Sequence, residues 1–160
     1  FRGQVDKYTW VDIGSSYLPG EITAAFLWAQ MQEANAITAR RVAIWNRYHA
    51  AFERFEQTGR LRRPVVPADC NHNAHMYYLL LRDLAERTDF IATMSRHEIN
   101  YVFHYVPLHS SPAGQRYGRA HGSLDTTNLQ SERLVRLPMF FELSEAQQER
   151  VVETVRKYLS

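Results

Sequence analysis

An α+β fold, with one long helix followed by a small sheet covered by helices, is predicted by three observations. Residues 21–58 contain neither glycine nor proline, so nothing in that stretch forces a helix to stop. Three short strand-like runs, at 76–81, 99–106 and 135–140, are unevenly spaced, and helical patterns lie between them. Such spacing suits a small sheet with helices packed on it better than a doubly wound parallel sheet.

Residues 1–20 mix aromatics, Asp, Gly and Pro without a sustained period and read as an ordered loop ending in YLPGE. From Glu21 to Thr58, Phe26, Ile37, Ile44, Tyr48 and Phe52 recur near helical spacing. Pro19 suits the first turn, and Gly59 suits the C-terminal cap. A run this long is expected to break or kink, and the polar patch Gln32, Glu33 and Asn35 is the expected place. Its first half, AAFLWAQM, is apolar all round, as in a helix buried on several sides. The expected organisation is therefore a leading loop at 1–20, a long helix at 21–58 and a small α+β domain at 59–160.

After a connector containing Pro64 and Pro67, MYYLLL at 76–81 reads as a buried strand. Thr88 is expected to cap a helix over 89–97 with an inward stripe of Phe90, Ile91 and Met94. A second strand spans 99–106 and ends at Pro107, residues 109–125 read as loop, and a short helix spans 127–134. A third strand at 135–140 precedes the pattern Ser144-x-x-Gln147, a capping box opening an amphipathic terminal helix with Val151, Val152, Val155 and Leu159 inward.

The formal net charge of +2, with acidic residues interspersed among the basic ones, argues weakly for nucleic acid. An RNA-binding reading would need aromatics and arginines on one exposed sheet face, and the aromatic strands read as buried. The densest basic run, Arg60, Arg62 and Arg63, follows the expected helix end and reads as a solvated capping cluster. One cysteine, Cys70, allows no internal disulfide and opens no zinc site with a second thiolate. No apolar run approaches a membrane span, and cytoplasm is the expected location. The chain opens on Phe1, and its first residues read as the middle of a longer sequence.

No P-loop, G-x-G-x-x-G, G-x-S-x-G or HExxH pattern is present, and no carboxylate pair has catalytic spacing. His72 and His75 would point to opposite faces of a strand, so no metal is expected there. HYVPLH, from His104 to His109, is the stretch richest in chemistry: two imidazoles and a phenol at a strand end fixed by proline. His104 admits two readings, a hydrogen-bonded core histidine or a ligand contact. His109, just past the turn, is the more accessible.

Taken in order, YTWVDIGSSYLPGEITAAFLWAQ, NAHMYYLLLRD, FHYVPLHSSPAG and SERLVRLPMFFELSEAQQERV resemble the DegT/DnrJ/EryC1/StrS sugar aminotransferases along the whole chain. The resemblance implies the C-terminal small domain of a fold type I aminotransferase, with residues 21–58 as the interdomain helix. It also implies pyridoxal phosphate as cofactor, glutamate and a sugar nucleotide as substrates, and a homodimer or higher homo-oligomer, with no nucleic acid or membrane partner.

The family's cofactor-bearing lysine sits in a histidine-containing motif that this sequence lacks; its two lysines, Lys7 and Lys157, have other surroundings. The chain alone is therefore expected to be inactive, contributing no catalytic residue. Where many relatives read G-x-N-x-R, this chain has Ser16 and Leu18 in place of the Asn and Arg. Ser16 keeps a hydroxyl for the cofactor phosphate of a neighbouring subunit, whereas Leu18 offers no charge to a diphosphate. Arg2, Lys7 or residues not present in this chain are the expected substitutes. By the same resemblance Tyr105, His109 and His104 lie near the sugar nucleotide. The rival expectation is an autonomous, non-catalytic module binding a nucleotide sugar or a protein.

Overall fold

The computed structural model describes residues 17–160. The expected leading loop, with Arg2, Lys7 and Ser16, lies largely outside the described residues. The chain divides into two units, 1–34 and 35–160.

In the first unit, helix α1 spans Glu21–Gln32, and its opening bond runs from the Ala24 N–H to the Gly20 carbonyl at 2.9 Å. None of its side chains is buried, and Phe26 is 70% and Trp28 67% exposed, so AAFLWAQM is not a core helix within this chain. The expected interruption falls at Glu33, whose N–H turns back to the Gln30 carbonyl at 3.1 Å.

Helix α2 (Ala34–Ala51) is followed by the short helix α3 (Glu53–Gln57). Gly59 ends α3 at φ +72°: its N–H bonds the Glu56 carbonyl, and the Arg60 N–H bonds that of Phe55. This crossed pair is a Schellman cap, and its left-handed residue is the glycine expected there.

Strand β1 (Tyr78–Leu80), helix α4 (Leu84–Arg96) and strand β2 (Val102–Phe103) come next. A 3-10 turn at Leu108–Ser110 and helix α5 (Pro112–Tyr117) follow. Helix α6 (Asp125–Arg133), strand β3 (Leu134–Arg136) and helix α7 (Glu145–Leu159) complete the chain. The sheet is antiparallel in the order β1-β3-β2, with Leu79 opposite Val135 and Phe103 opposite Val135 on the other side. The last strand in the chain is thus the central one.

The strands are shorter than their apolar runs, because the flanking residues bond outside the regular ladder: Leu137 N–H to the Tyr77 carbonyl and Leu81 N–H to that of Arg133. Helix α4 begins earlier than expected. Asp83 caps it by accepting from the Glu86 N–H, while Thr88 sits inside, its hydroxyl donating to the Leu84 carbonyl. The expected loop at 109–125 holds α5, because Ser111 accepts from the Gly114 N–H and Pro112 fills the first helical position without wasting a donor. The capping box at Ser144 and Gln147 is formed in both directions.

A single core joins α2, β1, α4, β3 and α7 through Tyr48, Phe52, Leu79, Phe90, Val135 and Val152, all essentially inaccessible. Each such apolar side chain contributes roughly 1.5–3 kcal/mol. Polar groups at the α2–α7 contact are paired: Gln148 donates to the Ile44 carbonyl at 2.8 Å, and Tyr48 to that of Pro138 at 2.9 Å.

In the basic run Arg62 is exposed as expected, but Arg60 and Arg63 are paired and not simply solvated. The Arg63 side chain is 11% exposed and clamps Glu56 at 2.7 Å, and Arg60 pairs with the buried Glu86. Burying carboxylates in the turn around the α3 cap recruits these guanidiniums inward. Strand β2 also departs from expectation, for Val102 and Phe103 are both exposed at the sheet edge.

Candidate functional site

Strand β2 delivers HYVPLH to the surface, and Pro107 followed by the 3-10 turn reverses the chain toward α5. The segment separates two hollows that share Leu108 as a wall. The first, about 490 Å³, is lined by His104, Tyr105, Val106 and Pro107 on one side and by Thr126, Thr127, Gln130 and Ser131 of α6 on the other. Apolar walls with a few convergent hydroxyl, amide and imidazole groups are the usual lining of a small-molecule site.

Within it, Tyr105 is 77% exposed and meets the half-buried His104 ring edge-on, the centroids 5.3 Å apart. His104 Nδ1 and Gln130 Oε1 are shielded from solvent without a hydrogen-bond partner among the described residues. Such orphaned groups are uncommon in a settled interior.

The second hollow, about 560 Å³, is lined by His109, Gln115, Arg119 and His121 together with Leu108 and Leu124. Its shape depends on Gly114, where a Cβ would lie 1.6 Å from the Leu108 carbonyl oxygen, so α5 can sit this close to the turn only with glycine there. His109 Nε2 is 2.9 Å from Asn128 Oδ1, while the Asn128 amide nitrogen donates to the Ser123 carbonyl at 3.3 Å. The second bond fixes the amide with its oxygen toward the imidazole, so Nε2 carries the proton and donates. His109 Nδ1 is left for another partner.

The structure therefore brings His104 and Tyr105 together in one hollow and places His109 in its neighbour; Ser16 lies outside the described residues. Sequence reasoning missed Asn128, Gln130, Arg119 and His121. Asn128 and Gln130 lie in an expected short helix that carried no chemical pattern, and Arg119 and His121 lie in an expected loop. A separate hollow of about 370 Å³ against α7 holds Arg150, but that guanidinium is committed to the His97 carbonyl at 2.6 Å. His72 packs its edge on Trp45 at 4.7 Å, and no group of three or more metal-ligating side chains occurs among the described residues.

The architecture matches fold type I aminotransferases over a region of about 40% of their length. A DegT/DnrJ/EryC1/StrS aminotransferase from Brucella abortus superposes with a TM-score of 0.78 at 26% identity, covering 99% of this chain and 40% of that one. DesV of S. venezuelae shares the fold with a TM-score of 0.81 at 24% identity, over 99% of this chain and 41% of that one. The model of the DegT/DnrJ/EryC1/StrS aminotransferase family matches residues 2–156, and the chain belongs to that family.

Among curated relatives, an uncharacterised protein of Methanocaldococcus jannaschii is 27% identical over 96% of this chain and 40% of its own length. The dTDP-3-amino-3,4,6-trideoxy-alpha-D-glucose transaminase of Micromonospora megalomicea subsp. nigra is 27% identical over 88% of this chain and 37% of its own length. The chain thus spans about 40% of the length of the relatives it matches. No helix among the described residues is long and apolar enough to cross a membrane.

Pyridoxal phosphate is the cofactor of the family. Among the described residues the sole lysine, Lys157, is exposed on α7 and lines neither hollow. The described residues therefore do not fit the cofactor-bearing role.

Proposed function

We propose that this chain is the substrate-contacting C-terminal domain of a longer pyridoxal-phosphate-dependent sugar-nucleotide transaminase. The sugar is chosen because its motifs resemble those of dTDP-4-amino-4,6-dideoxygalactose transaminase. On this reading the longer protein moves an amino group from glutamate to the C4 keto group of dTDP-4-keto-6-deoxyglucose. The cofactor, when bound by the longer protein, supplies the carbonyl that takes up the amino group and the electron sink for the transfer. The observation that carries the reading is the HYVPLH segment standing between two hollows in a chain matched to the family over residues 2–156.

The roles follow from exposure and bonding. Tyr105, largely exposed, offers a phenol to sugar or diphosphate oxygens, and His109, fixed on one edge by Asn128, offers its other nitrogen. His104 holds the Tyr105 ring edge-on and orients it. Ser16 offers its hydroxyl to a cofactor phosphate across a subunit boundary in a homodimer or larger homo-oligomer. Residues 21–58 act as the interdomain helix and 59–160 as the small domain. The exposed Phe26, Trp28 and Met31 of α1 are the surface through which the short chain self-associates.

The test is transamination of the keto sugar by the longer protein with pyridoxal phosphate and glutamate, beside the 160-residue chain. Amino-sugar product from the longer protein, and neither product nor a borohydride-sensitive cofactor band from the short one, is the expected result. No product from the longer protein refutes the enzymatic reading. Conversion at C3 in place of C4 refutes the choice of sugar.

A further inference from the structure

The two hollows beside HYVPLH differ in charge. The larger one contains a guanidinium, Arg119, two imidazoles, His109 and His121, and no carboxylate among the described residues of its lining. The nearest acid in sequence, Asp125, accepts from the Ser123 hydroxyl at 2.6 Å. Among the described residues Arg119 makes no ion pair or hydrogen bond, whereas Arg60, Arg63 and Arg150 are each paired. The smaller hollow has hydroxyl, amide, imidazole and apolar walls and no arginine or lysine among the described residues.

Leu108 is common to both. Two compartments meeting at one wall, one cationic and one neutral with hydroxyl partners, are complementary to a ligand with an anionic part joined to a neutral polyhydroxyl part.

We infer that the Arg119 hollow is the diphosphate subsite of this chain, and that the neighbouring Gln130 hollow takes the sugar. The inference rests on the nucleotide-sugar reading above and assigns the diphosphate to residues of the described domain. Arginine is the side chain suited to it, since its planar fork donates two N–H bonds to phosphoryl oxygens. His121 adds a further N–H. Leu18, outside both hollows, need contribute nothing.

The shared chemistry is a phosphoryl anion, and glutamate is the competing anion, so both are tested on the 160-residue chain. The backbone amides of 114–122 and the imidazoles of His109 and His121 are followed by NMR during titration with inorganic pyrophosphate, orthophosphate and glutamate. Pyrophosphate is expected to give saturable shifts confined to that segment and to bind at least about tenfold more tightly than orthophosphate. R119Q is expected to weaken pyrophosphate about tenfold while leaving the spectrum elsewhere unchanged. R54Q, which removes an equal charge outside the hollow, is expected to have no effect.

Shifts elsewhere, an equal loss in R54Q, or glutamate binding the same amides as tightly as pyrophosphate would each overturn the subsite. In the longer enzyme, R119Q is expected to raise KM for the keto-sugar nucleotide about tenfold with kcat within twofold, and an unchanged KM overturns it too. Pyrophosphate bound in the hollow of a protein that transaminates no sugar would uphold the subsite and refute only the enzymatic reading.

Discussion

The side of the domain built by α2 and α7 and the side built by β2 and α6 treat polar groups in opposite ways. Where α2 meets α7, the buried amide of Gln148 and the phenol of Tyr48 both end on carbonyls, and Arg40 donates to the Leu143 carbonyl. Around β2 and α6 lie Arg87 Nε, Tyr101 Oη, His104 Nδ1, Gln130 Oε1 and Arg136 Nε, shielded and unpartnered among the described residues. Leaving such a group unpaired costs about 1–3 kcal/mol. The first side is organised for stability. On the second, two of these atoms, His104 Nδ1 and Gln130 Oε1, border a hollow, the arrangement expected where a fold gives up stability for a ligand or another protein surface.

Truncating the paired side should have the largest effect. Phe52→Ala removes a fully buried ring from the centre of the core and should cost about 4 kcal/mol, a large share of a small domain's stability, read from the urea midpoint at constant m-value. A loss below about 1 kcal/mol would mean that α2 is not anchored there. Arg60→Ala strands the Glu86 carboxylate, which also accepts from the Arg82 N–H at 2.7 Å. Because Arg60 itself is 36% exposed, a loss of about 2 kcal/mol is expected, below the full value for a buried pair.

On the unpaired side the sign changes. Gln130→Leu removes an orphaned acceptor and keeps the volume, so denaturant unfolding should show stability unchanged or raised by up to about 1 kcal/mol. In the longer enzyme the same change should raise KM. A clear destabilisation would show that Gln130 is already satisfied within the fold.

The smallest effects are those of pH. His49 stacks on Trp45 at 4.4 Å and is held below its usual value by burial and by the Arg63 charge, so it favours its neutral form when folded. Its contribution is present above about pH 6.5 and lost as pH falls through the folded value. Burial opposes the Glu56 charge, but the N–H and guanidinium of Arg63 outweigh it and hold the carboxyl low, adding a second loss at more acidic pH. Tyr158 is pushed up to about 12 by partial burial and its hydrogen bond to Asp89, so its contribution is full below about pH 10 and fades toward 12. Urea midpoints across pH should therefore form a plateau from about 7 to 10 that falls at both ends. Burial pushes the phenols of Tyr48, Tyr77 and Tyr101 up as well, so a midpoint still rising above pH 10 would contradict all four tyrosine assignments.

Features of the fold governed by neighbours in sequence were legible in it. Ser144 with Gln147, Gly59, and the polar patch at Glu33 each mark a boundary through backbone chemistry that acts within a few residues. Errors arose where two local signals competed or where a partner was distant. Asp83 outcompeted Thr88 as a cap, and the Ser111-Pro112 start signal was hidden in a segment rich in loop residues. Arg63 was drawn inward by Glu56. The HYVPLH segment could be found from its composition and its place at a strand end, but Arg119 and Gln130 acquire meaning only when α5 and α6 fold back beside it.

The sheet order has a consequence for how the domain is made. Strands β1 and β2 pair with β3 and not with each other, and β3 begins at Leu134, more than fifty residues after Tyr78. At a synthesis rate of roughly 5–20 residues per second, β1 waits several seconds for its partner on the ribosome. During that interval MYYLLL is a nascent apolar segment whose backbone is tied only by the two bonds between Arg62 and Leu80, with α2 and α4 to cover it. The domain should therefore snap together late, when its final quarter emerges, and a message truncated before the codon for Leu134 should yield a product that chaperones retain or proteases clear.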